Sequence, residues 1–225
     1  MKLGVVVQAR MGSTRLPGKV LLDIGSRPLI GHVIDRLDNL RHSALVVVAT
    51  SSSVLDDVIE TWCASSEVLC FRGSETDVLD RYLQCAVRFD FDHVVRLTAD
   101  NPFTDIEELD RLLDLHLSGG YDYSHSFRQM PMGVGCEVFT REALTRSHIN
   151  GRMPNHREHV NEFIEENPEK FRIGCLTVPA AKVAPSLRMT VDTQADWLIA
   201  CRLAAASSGG ILRTEEAIRL CSSFA

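Results

Sequence analysis

Short apolar runs rich in β-branched residues alternate with amphipathic segments along most of the chain. Each run is four to seven residues long and largely apolar. Runs of this kind are typical of strands that are buried on both faces, as in a parallel sheet covered by helices. We predict strands at 2–7, 45–49, 68–71, 93–97, 136–139, 172–178 and 187–191.

Between these runs, apolar residues recur at spacings of three and four, which predicts amphipathic helices. Two later segments, 155–167 after Pro154 and 193–206 after Thr193, also have helical patterns. The alternation of strands and helices predicts an α/β fold with a mostly parallel sheet. The apolar positions of the first four helices are Leu29, Val33, Ile34 and Leu37; Val54, Val58 and Ile59; Leu79, Tyr82, Leu83 and Ala86; and Ile106, Leu109, Leu112 and Leu113.

One stretch, residues 118–135, departs from this alternation. Its sequence, SGGYDYSHSFRQMPMGVG, is rich in Gly, Ser, Tyr and Met. Irregular stretches of this length inside a compact domain are usually functional or disordered. No Pro- or Ser-rich linker divides the 225 residues, so we predict a single domain over 1–225 with a small inserted lobe at about 118–180.

Composition excludes several classes of protein. With 45% hydrophobic residues and a mean hydropathy near zero, the chain has enough apolar material for a full core. Its formal charge of -6 argues against a non-specific binder of nucleic acids or anionic membranes. No apolar stretch approaches the roughly 18 to 20 residues that span a bilayer. Seven cysteines without a C-x-x-C pair are typical of free thiols in a reducing compartment, so we expect a cytoplasmic protein.

The charge is unevenly distributed. The first 22 residues hold four basic side chains and no acid, whereas the rest of the chain, with 20 basic and 30 acidic residues, has a net charge of -10. Three of the four cations lie in QARMGSTRLPGK, residues 8–19, directly after the first predicted strand. Such a loop presents backbone N–H groups and cations to a polyphosphate. A solvated basic turn is the alternative, but unpaired like charges on a tight loop repel each other.

This loop is neither of the two common phosphate-binding motifs. Ser13 stands where the P-loop needs its first Gly, Val20 stands where it needs Ser or Thr, and G-x-G-x-x-G is absent. Pro17 makes the turn rigid, and Gly18 allows a backbone conformation that other residues resist.

The sequence ARMGSTRLPGK resembles the A-R-x-x-S-x-R-L-P-x-K pattern of the sugar cytidylyltransferases, the CMP-sugar synthetases. Further blocks, FRGSETDVLDRY, VVRLTADNP, GVGCEVF, REHV and LRMTVDT, follow in the order found in the branch named for the spore coat polysaccharide biosynthesis protein SpsF. The resemblance implies a three-layer αβα, Rossmann-like nucleotidyltransferase (GT-A-like) fold. It also implies a Mg²⁺-dependent transfer of CMP from CTP to an acidic, nonulosonic-type sugar for surface polysaccharide, with release of pyrophosphate, by a homodimer.

The resemblance also implies roles for individual residues. Arg10, Arg15 and Lys19 are the expected phosphate cations, with Ser13 and the backbone of Ala9 and Gly12 beside them. Asp100 and Asp192 match carboxylates that bind Mg²⁺, and Arg10, Lys19 and Asp100 are the expected catalytic residues. The base pocket is expected at Gly73 and Ser74 with Arg96, and the sugar site at Glu137, Arg157 and His159.

Several of these residues have simpler interpretations. Asp100 and Asp192 each precede a predicted helix, where Asp is a favoured N-cap, and Thr193 and Asp196 compete with Asp192 for that role. Asp196 is either a further metal ligand or a first-turn acid favoured by the helix dipole. Three other positions also have structural readings: Glu75 and Asp77 suit the start of a helix, and Arg96 suits an ion pair. His156 and His159 lack the third ligand that a metal site needs.

Two other functions fit the pattern less well. A glycosyltransferase of the same general fold would place a D-x-D motif at the carboxyl end of a strand. The D-x-D at 90–92 instead precedes the 93–97 strand. A nucleotide-binding module without catalysis is disfavoured because both metal carboxylates are present.

Overall fold

A computed structural model describes residues 1–207 and 210–224. The strands are β1 Leu3–Gln8, β2 Asp23–Ile24, β3 Arg27–Pro28, β4 Leu45–Ser51, β5 Leu69–Gly73, β6 His93–Thr98, β7 Tyr123–His125, β8 Glu137–Thr140 and β9 Ile173–Cys175. The helices are α1 Leu29–Leu37, α2 Asp57–Ser65, α3 Val78–Arg88, α4 Ile106–Gly119, α5 Arg141–Asn150, α6 Pro154–Glu158, α7 Glu162–Glu165, α8 Gln194–Ala206 and α9 Thr214–Phe224. Within the described residues, no helix is both long and apolar enough to cross a membrane.

Seven strands form one sheet in the order β5-β4-β1-β6-β8-β7-β9, and β2 and β3 form a separate antiparallel pair. In the seven-stranded sheet only β8 runs antiparallel to its neighbours, β6 and β7. The prediction of a mostly parallel sheet is therefore confirmed. Because β1, β4, β5 and β6 are all parallel, their carboxyl ends meet at one edge of the sheet.

Helices cover both faces of the sheet and give the three layers of the predicted fold. The central strand β1 shows why its sequence is apolar throughout: Val5 and Val7 face one core, and Val6 faces the other. The first core is built on α1, α2, α4, α8 and α9, and the second on α3, α5 and α7. Burial on both faces explains the continuous apolar runs in the sequence.

Several helices begin at capping residues that are visible in the sequence. Asp77 caps α3 by accepting a 2.8 Å hydrogen bond from the amide of Asp80. Thr193 caps α8 in a capping box, in which its side chain accepts from the amide of Asp196 and the Asp196 side chain accepts from the amide of Thr193. These contacts satisfy amides that a helix leaves free in its first turn.

The structure differs from the sequence prediction in several elements. The 187–191 segment is not a strand; Arg188 forms an isolated β-bridge with Met132. The predicted 155–167 helix is two short helices, α6 and α7, with a break between them, and the 172–178 strand is reduced to β9. Finally, β2, β3, β7, α5 and α9 were not predicted, and of these β7 and α5 have no clear apolar period. All seven cysteines are free, as expected.

The segment expected to form an inserted lobe joins the main sheet. Residues 118–180 contribute β7, β8 and β9 at one end of the seven-stranded sheet, and α5 to α7 beside α3. The irregular stretch 118–135 contains the short strand β7, which is paired on both sides.

Candidate active site

A cavity of about 600 Å³ opens at the carboxyl ends of β1 and β6. Its walls are the loop after β1, the residues that follow β6, the turn at Glu158 and His159, and the segment around Asp192. Open α/β sheets bind ligands at this edge. Nine predicted site residues line the cavity: Arg10, Gly12, Ser13, Arg15, Lys19, Arg96, Asp100, His159 and Asp192.

The loop after β1 is held in shape by its own backbone. The carbonyl of Met11 accepts from the amides of Ser13 and Gly18, at 2.9 and 3.1 Å. The Ser13 hydroxyl accepts from the amide of Leu16. Gly18 has φ +69°, the left-handed conformation that its position in the sequence suggested. A preformed loop loses little conformational entropy when it binds a ligand.

Lys19 lies at the centre of the site and is only 7% exposed. Its Nζ donates to Asp100 Oδ2 at 2.6 Å, to Asp192 Oδ1 at 2.7 Å and to the carbonyl of Val191 at 2.9 Å. An ammonium group has three donors, so these three contacts satisfy it completely.

The two carboxylates around Lys19 have further partners. Asp100 Oδ1 accepts from the Thr98 hydroxyl at 2.5 Å. Asp192 also pairs with Arg15 at 2.9 Å and with Arg188. Burial by itself would raise the pKa of Asp192, but the hydrogen bond and charge of Lys19, with the charges of Arg15 and Arg188, outweigh burial and lower that pKa. Asp192 is therefore ionised at neutral pH.

The donor set fits a hard divalent cation. Mg²⁺ commonly binds one or two carboxylates and completes its shell with phosphate and water. Asp100 and Asp192 share one cation, Lys19, so their oxygens already converge on a single point of positive charge. In the part of the chain that the structure describes, no group of three or more His, Cys, Asp or Glu side chains is placed to hold a metal. Asp196 caps α8 and pairs with Arg188.

A second chamber of about 360 Å³ adjoins the first and shares part of its wall. Arg96, in the shared wall, donates to Glu137 of the second chamber at 2.5 Å. Glu137 also accepts from the Tyr123 hydroxyl at 2.6 Å. Burial raises the pKa of Tyr123, so its hydroxyl stays protonated and donates. The residues common to both chambers are Arg96, Thr98, Asn101, Met132 and Gly133.

Three buried polar atoms at this junction have no hydrogen-bond partner. They are Gln8 Oε1, Arg96 Nε and Asn101 Oδ1, two acceptors and one donor. Beside them, Gly133 has φ +89°, and a Cβ there would lie 2.8 Å from Asn101 Oδ1. Buried polar groups normally have partners, so this wall suits a ligand that carries both donors and acceptors.

The remaining predicted residues lie away from the first cavity. Ala9 is buried, and its amide donates to the Ala49 carbonyl. Gly73 ends β5 and Ser74 follows it, and the Ser74 carbonyl accepts from Arg81. Arg157 pairs with Asp77 at 3.2 Å and donates to the His148 carbonyl.

Two sequence alternatives can be compared with the structure directly. The D-x-D at 90–92 lies at the opposite edge of the sheet, where Asp92 accepts from the amide of Lys2 before β1 begins. His156 points to Glu166, at 2.7 Å, and is itself largely buried. Neither the D-x-D nor His156 lines the cavity, although His159 does.

Sequence reasoning missed Gln8, Thr98, Asn101, Glu158 and Arg188. Gln8 and Thr98 are the last residues of β1 and β6, so their place at a strand end was the available signal. Glu158 pairs with Arg10 at 3.4 Å, across 148 positions of sequence. No local pattern reports a contact of that separation.

Comparison with known proteins gives consistent results. The profile of a family described as Cytidylyltransferase matches residues 4–208. The chain is 38% identical to the spore coat polysaccharide biosynthesis protein SpsF of Bacillus subtilis over 200 residues, which are 85% of this chain and 82% of that protein. It is 30% identical over 118 residues to a 3-deoxy-manno-octulosonate cytidylyltransferase of Francisella philomiragia, covering 51% of this chain and 46% of that protein. Among solved structures, a cytidylyltransferase from Leptospira borgpetersenii matches with a TM-score of 0.87 and 33% identity, covering all of this chain and 94% of the other.

Proposed function

The chain is a nucleotidyltransferase of the cytidylyltransferase family, and from this premise we propose that it transfers CMP from CTP to an acidic sugar in a Mg²⁺-dependent reaction that releases pyrophosphate. In that reaction the anomeric hydroxyl of the sugar attacks the α-phosphorus of CTP. The α–β phosphoanhydride bond breaks, and the hydroxyl proton is released.

One observation carries the proposal: a preformed cation loop and two carboxylates converge at one edge of the sheet. Arg10, Arg15 and Lys19 would bind the triphosphate, with the Ser13 hydroxyl and the Gly12 amide beside them. Each such charge-assisted contact contributes on the order of 1.5–3 kcal/mol. Arg10 and Arg15 are 41% and 61% exposed, so both can turn towards a ligand.

Asp100 and Asp192 are the proposed metal ligands. When bound, Mg²⁺ neutralises phosphate charge and polarises the phosphorus centre. The chain's own part is to hold both carboxylates in position. Thr98 orients Asp100, and Arg188 orients Asp192.

The base is proposed to lie at the carboxyl end of β5, two strands away from β1 in the sheet. Gly73 and Ser74 offer backbone groups there, and Arg96, on β6, offers a guanidinium at the junction of the chambers. Ala9 is proposed to contribute its backbone at the start of the loop after β1. The pairing of Arg157 with Asp77 joins α6 to the N-cap of α3, the helix that follows β5.

The second chamber is the proposed site of the acceptor. Its unpaired donor and acceptor atoms suit hydroxyl groups, which both donate and accept. Glu137 lines the second chamber and His159 lines the first, whereas Arg157, two residues before His159, lines neither. The acidic class rests on the partial match to a 3-deoxy-manno-octulosonate cytidylyltransferase.

The similarity to SpsF supports a role in surface polysaccharide biosynthesis. We also retain as proposals a homodimer, with residues 118–180 serving the acceptor and the partner copy, and a location in the cytoplasm. Analytical ultracentrifugation of the purified protein tests the dimer.

The experiment that tests the function is pyrophosphate release with each of the four NTPs, with and without Mg²⁺. The acceptors are 3-deoxy-manno-octulosonate, N-acetylneuraminate and ordinary hexoses. Release that requires CTP, Mg²⁺ and an acidic sugar supports the proposal. Release with hexoses alone contradicts the acidic class. Tight CTP binding without release for any acceptor indicates a nucleotide-binding module, and cleavage of a nucleotide sugar indicates a glycosyltransferase.

A further inference from the structure

Lys19 occupies the point where the two proposed metal ligands converge. Its ammonium contacts one oxygen of each carboxylate, at 2.6 and 2.7 Å, and its third donor is taken by the Val191 carbonyl. The lysine side chain is 9% exposed, so water does not compete for these contacts. Without nucleotide, the protein therefore supplies its own cation to this site.

A lysine in this position opposes the binding of a free metal ion. A divalent ion beside an ammonium group meets twice the repulsion that a monovalent ion would meet at the same distance. Mg²⁺ also gives up its water reluctantly, so carboxylates whose charge is already neutralised by other cations attract it less. Asp192 is shared with three, since Arg15 and Arg188 contact it as well as Lys19.

The same lysine is the most enclosed cation of the phosphate loop. It can bind a triphosphate only by giving up contacts to the carboxylates, and those carboxylates are then left with reduced positive charge around them. Arg15 is placed in the same way between a carboxylate and the proposed phosphate site, because it pairs with Asp192 and also lines the cavity. Arrival of the nucleotide and exposure of the metal ligands are thus coupled through one side chain.

We infer that Lys19 is an internal stand-in for the metal, which keeps Asp100 and Asp192 unavailable to a divalent cation until a nucleoside triphosphate draws the ammonium away. The inference rests on the proposed function, because it takes these two carboxylates as the metal ligands. It makes metal and nucleotide binding cooperative in both directions, as linkage requires.

The test measures binding of Mn²⁺, as a spectroscopic substitute for Mg²⁺, to the nucleotide-free protein by electron paramagnetic resonance. Lys19→Met keeps the length of the side chain and removes its charge. We expect Mn²⁺ to bind this variant at least about tenfold more tightly than wild type, whereas CTP, titrated without metal, binds at least about tenfold more weakly. Tighter Mn²⁺ binding together with weaker CTP binding is expected only if Lys19 exchanges the two carboxylates for the triphosphate.

Lys170→Met is the matched control. It removes the same charge from an exposed lysine, 54% accessible, that contacts Asn167 and does not line either chamber. If Lys170→Met tightens Mn²⁺ binding as much as Lys19→Met does, net charge explains the gain and the inference is overturned. The double variant Lys19→Met/Asp192→Asn is expected to lose the gain; retention of the gain also overturns it.

A measurement on the unmodified protein covers the case in which Lys19→Met does not fold. Mn²⁺ is titrated into wild type with and without α,β-methylene-CTP, which cannot release pyrophosphate. We expect Mn²⁺ to bind the protein at least about tenfold more tightly when the analogue is present, after correction for the Mn²⁺ that the analogue binds by itself. Equal affinities overturn the inference even if the enzyme turns over normally. If CTP does not bind at all while Lys19→Met still gains Mn²⁺ affinity, the proposed function fails and the role of Lys19 stands.

Discussion

Two buried lysines, Lys19 and Lys182, are each surrounded by carboxylates, and their surroundings differ in one respect. Lys182 is 2% exposed and contacts Asp105 at 2.9 Å and both Glu107 and Glu108 at 3.0 Å. These acids belong to the start of α4, and Asp105 also caps that helix and accepts from Thr214, the first residue of α9. The contacts of Lys182 at 3.0 Å or less therefore all join it to the start of α4.

Lys19 makes the same kind of contacts, and both lysines line a cavity together with carboxylates that they contact, of about 570 Å³ at Lys182 and about 600 Å³ at Lys19. The two cavities differ in their unpaired polar atoms. Within the described residues, buried side-chain atoms of Gln8, Arg96 and Asn101 line the Lys19 cavity without a hydrogen-bond partner, and no such atom lines the Lys182 cavity. Neither the burial of an ion pair nor access to a cavity identifies a binding site by itself, and it is the unpaired polar atoms that favour the Lys19 cavity.

Lys182→Met is expected to give the largest loss of stability. It removes the ammonium from the buried carboxylates of Asp105 and Glu108, of which Glu108 keeps a paired arginine, Arg111, and it lowers the free energy of unfolding by about 3–5 kcal/mol. Urea unfolding followed by circular dichroism measures this loss. Lys19→Met should cost only about 1–2 kcal/mol, because Arg15, Arg188 and Thr98 still contact its carboxylates. Equal losses for the two variants would remove the contrast between the regions.

Asp100→Asn is expected to lower kcat by a factor on the order of 10³, roughly 4 kcal/mol, with little change in the thermal midpoint. The amide is nearly the same size, but it carries no negative charge for a metal. CTP should still bind. Pyrophosphate release at saturating Mg²⁺ measures the loss of turnover, and calorimetric titration measures CTP binding. Near-normal turnover would exclude Asp100 as a metal ligand.

His116, on α4, makes the region remote from the cavity sensitive to pH. It is fully buried and contacts His93 at 3.0 Å and Ser124 at 2.9 Å. Burial, with a smaller effect of His93, lowers the pKa of His116 from 6.5 to about 4. In this range the unfolded chain binds a proton that the folded chain does not, so stability is complete above pH 6.5 and falls as the pH drops towards 4. The expected loss from this group is about 3 kcal/mol.

Denaturant titrations at pH 7 and pH 4.5 measure that loss for wild type and for His116→Gln. The difference in unfolding free energy between wild type and His116→Gln should change between pH 7 and pH 4.5, because only wild type has a buried imidazole that must stay neutral. A constant difference would show that His116 does not carry this dependence.

Arg157→Ala gives the smallest expected effect, a rise in the KM for the acidic sugar of about tenfold, roughly 1.4 kcal/mol. The physical reason is that the guanidinium of Arg157 holds α6, just before His159 at the cavity, through its contacts to Asp77 and the His148 carbonyl. Initial rates at varied acceptor measure the effect. Arg157 also pairs with Asp77, so the KM for CTP must be measured in parallel. An unchanged acceptor KM would remove Arg157 from the sugar site.

The regular part of the fold was predictable from local patterns. The strands β1, β4, β5 and β6 lie within one or two residues of the predicted runs, because burial on both faces makes each run apolar throughout. The predicted strand at 187–191 was wrong for a physical reason. Its backbone contacts the site instead of a sheet neighbour: the Val191 carbonyl accepts from Lys19 and its amide donates to the Asp100 carbonyl.

The candidate site was predictable only where its residues are close in sequence. The phosphate loop was identified from spacing within residues 8–19, and Gly18 has the backbone conformation that this spacing suggested. The second chamber was not predicted from the sequence, because its lining residues, such as Asn101, Met132 and Pro185, come from separate segments of the chain. Thr98 and Arg188 lie within the blocks VVRLTADNP and LRMTVDT, but the sequence does not show which side chains contact the two carboxylates, so neither residue was given a role.

The sequence alone determined the strands, the cation loop and the excess of acids in the rest of the chain. It indicated that four positive charges without an acid would repel each other until an anion arrived. Tertiary structure decided which anions are already present: Asp100 and Asp192, 81 and 173 positions beyond Lys19 in the chain. Charge composition is a property of the sequence, but ion pairing depends on distances of a few ångströms that only the folded chain sets.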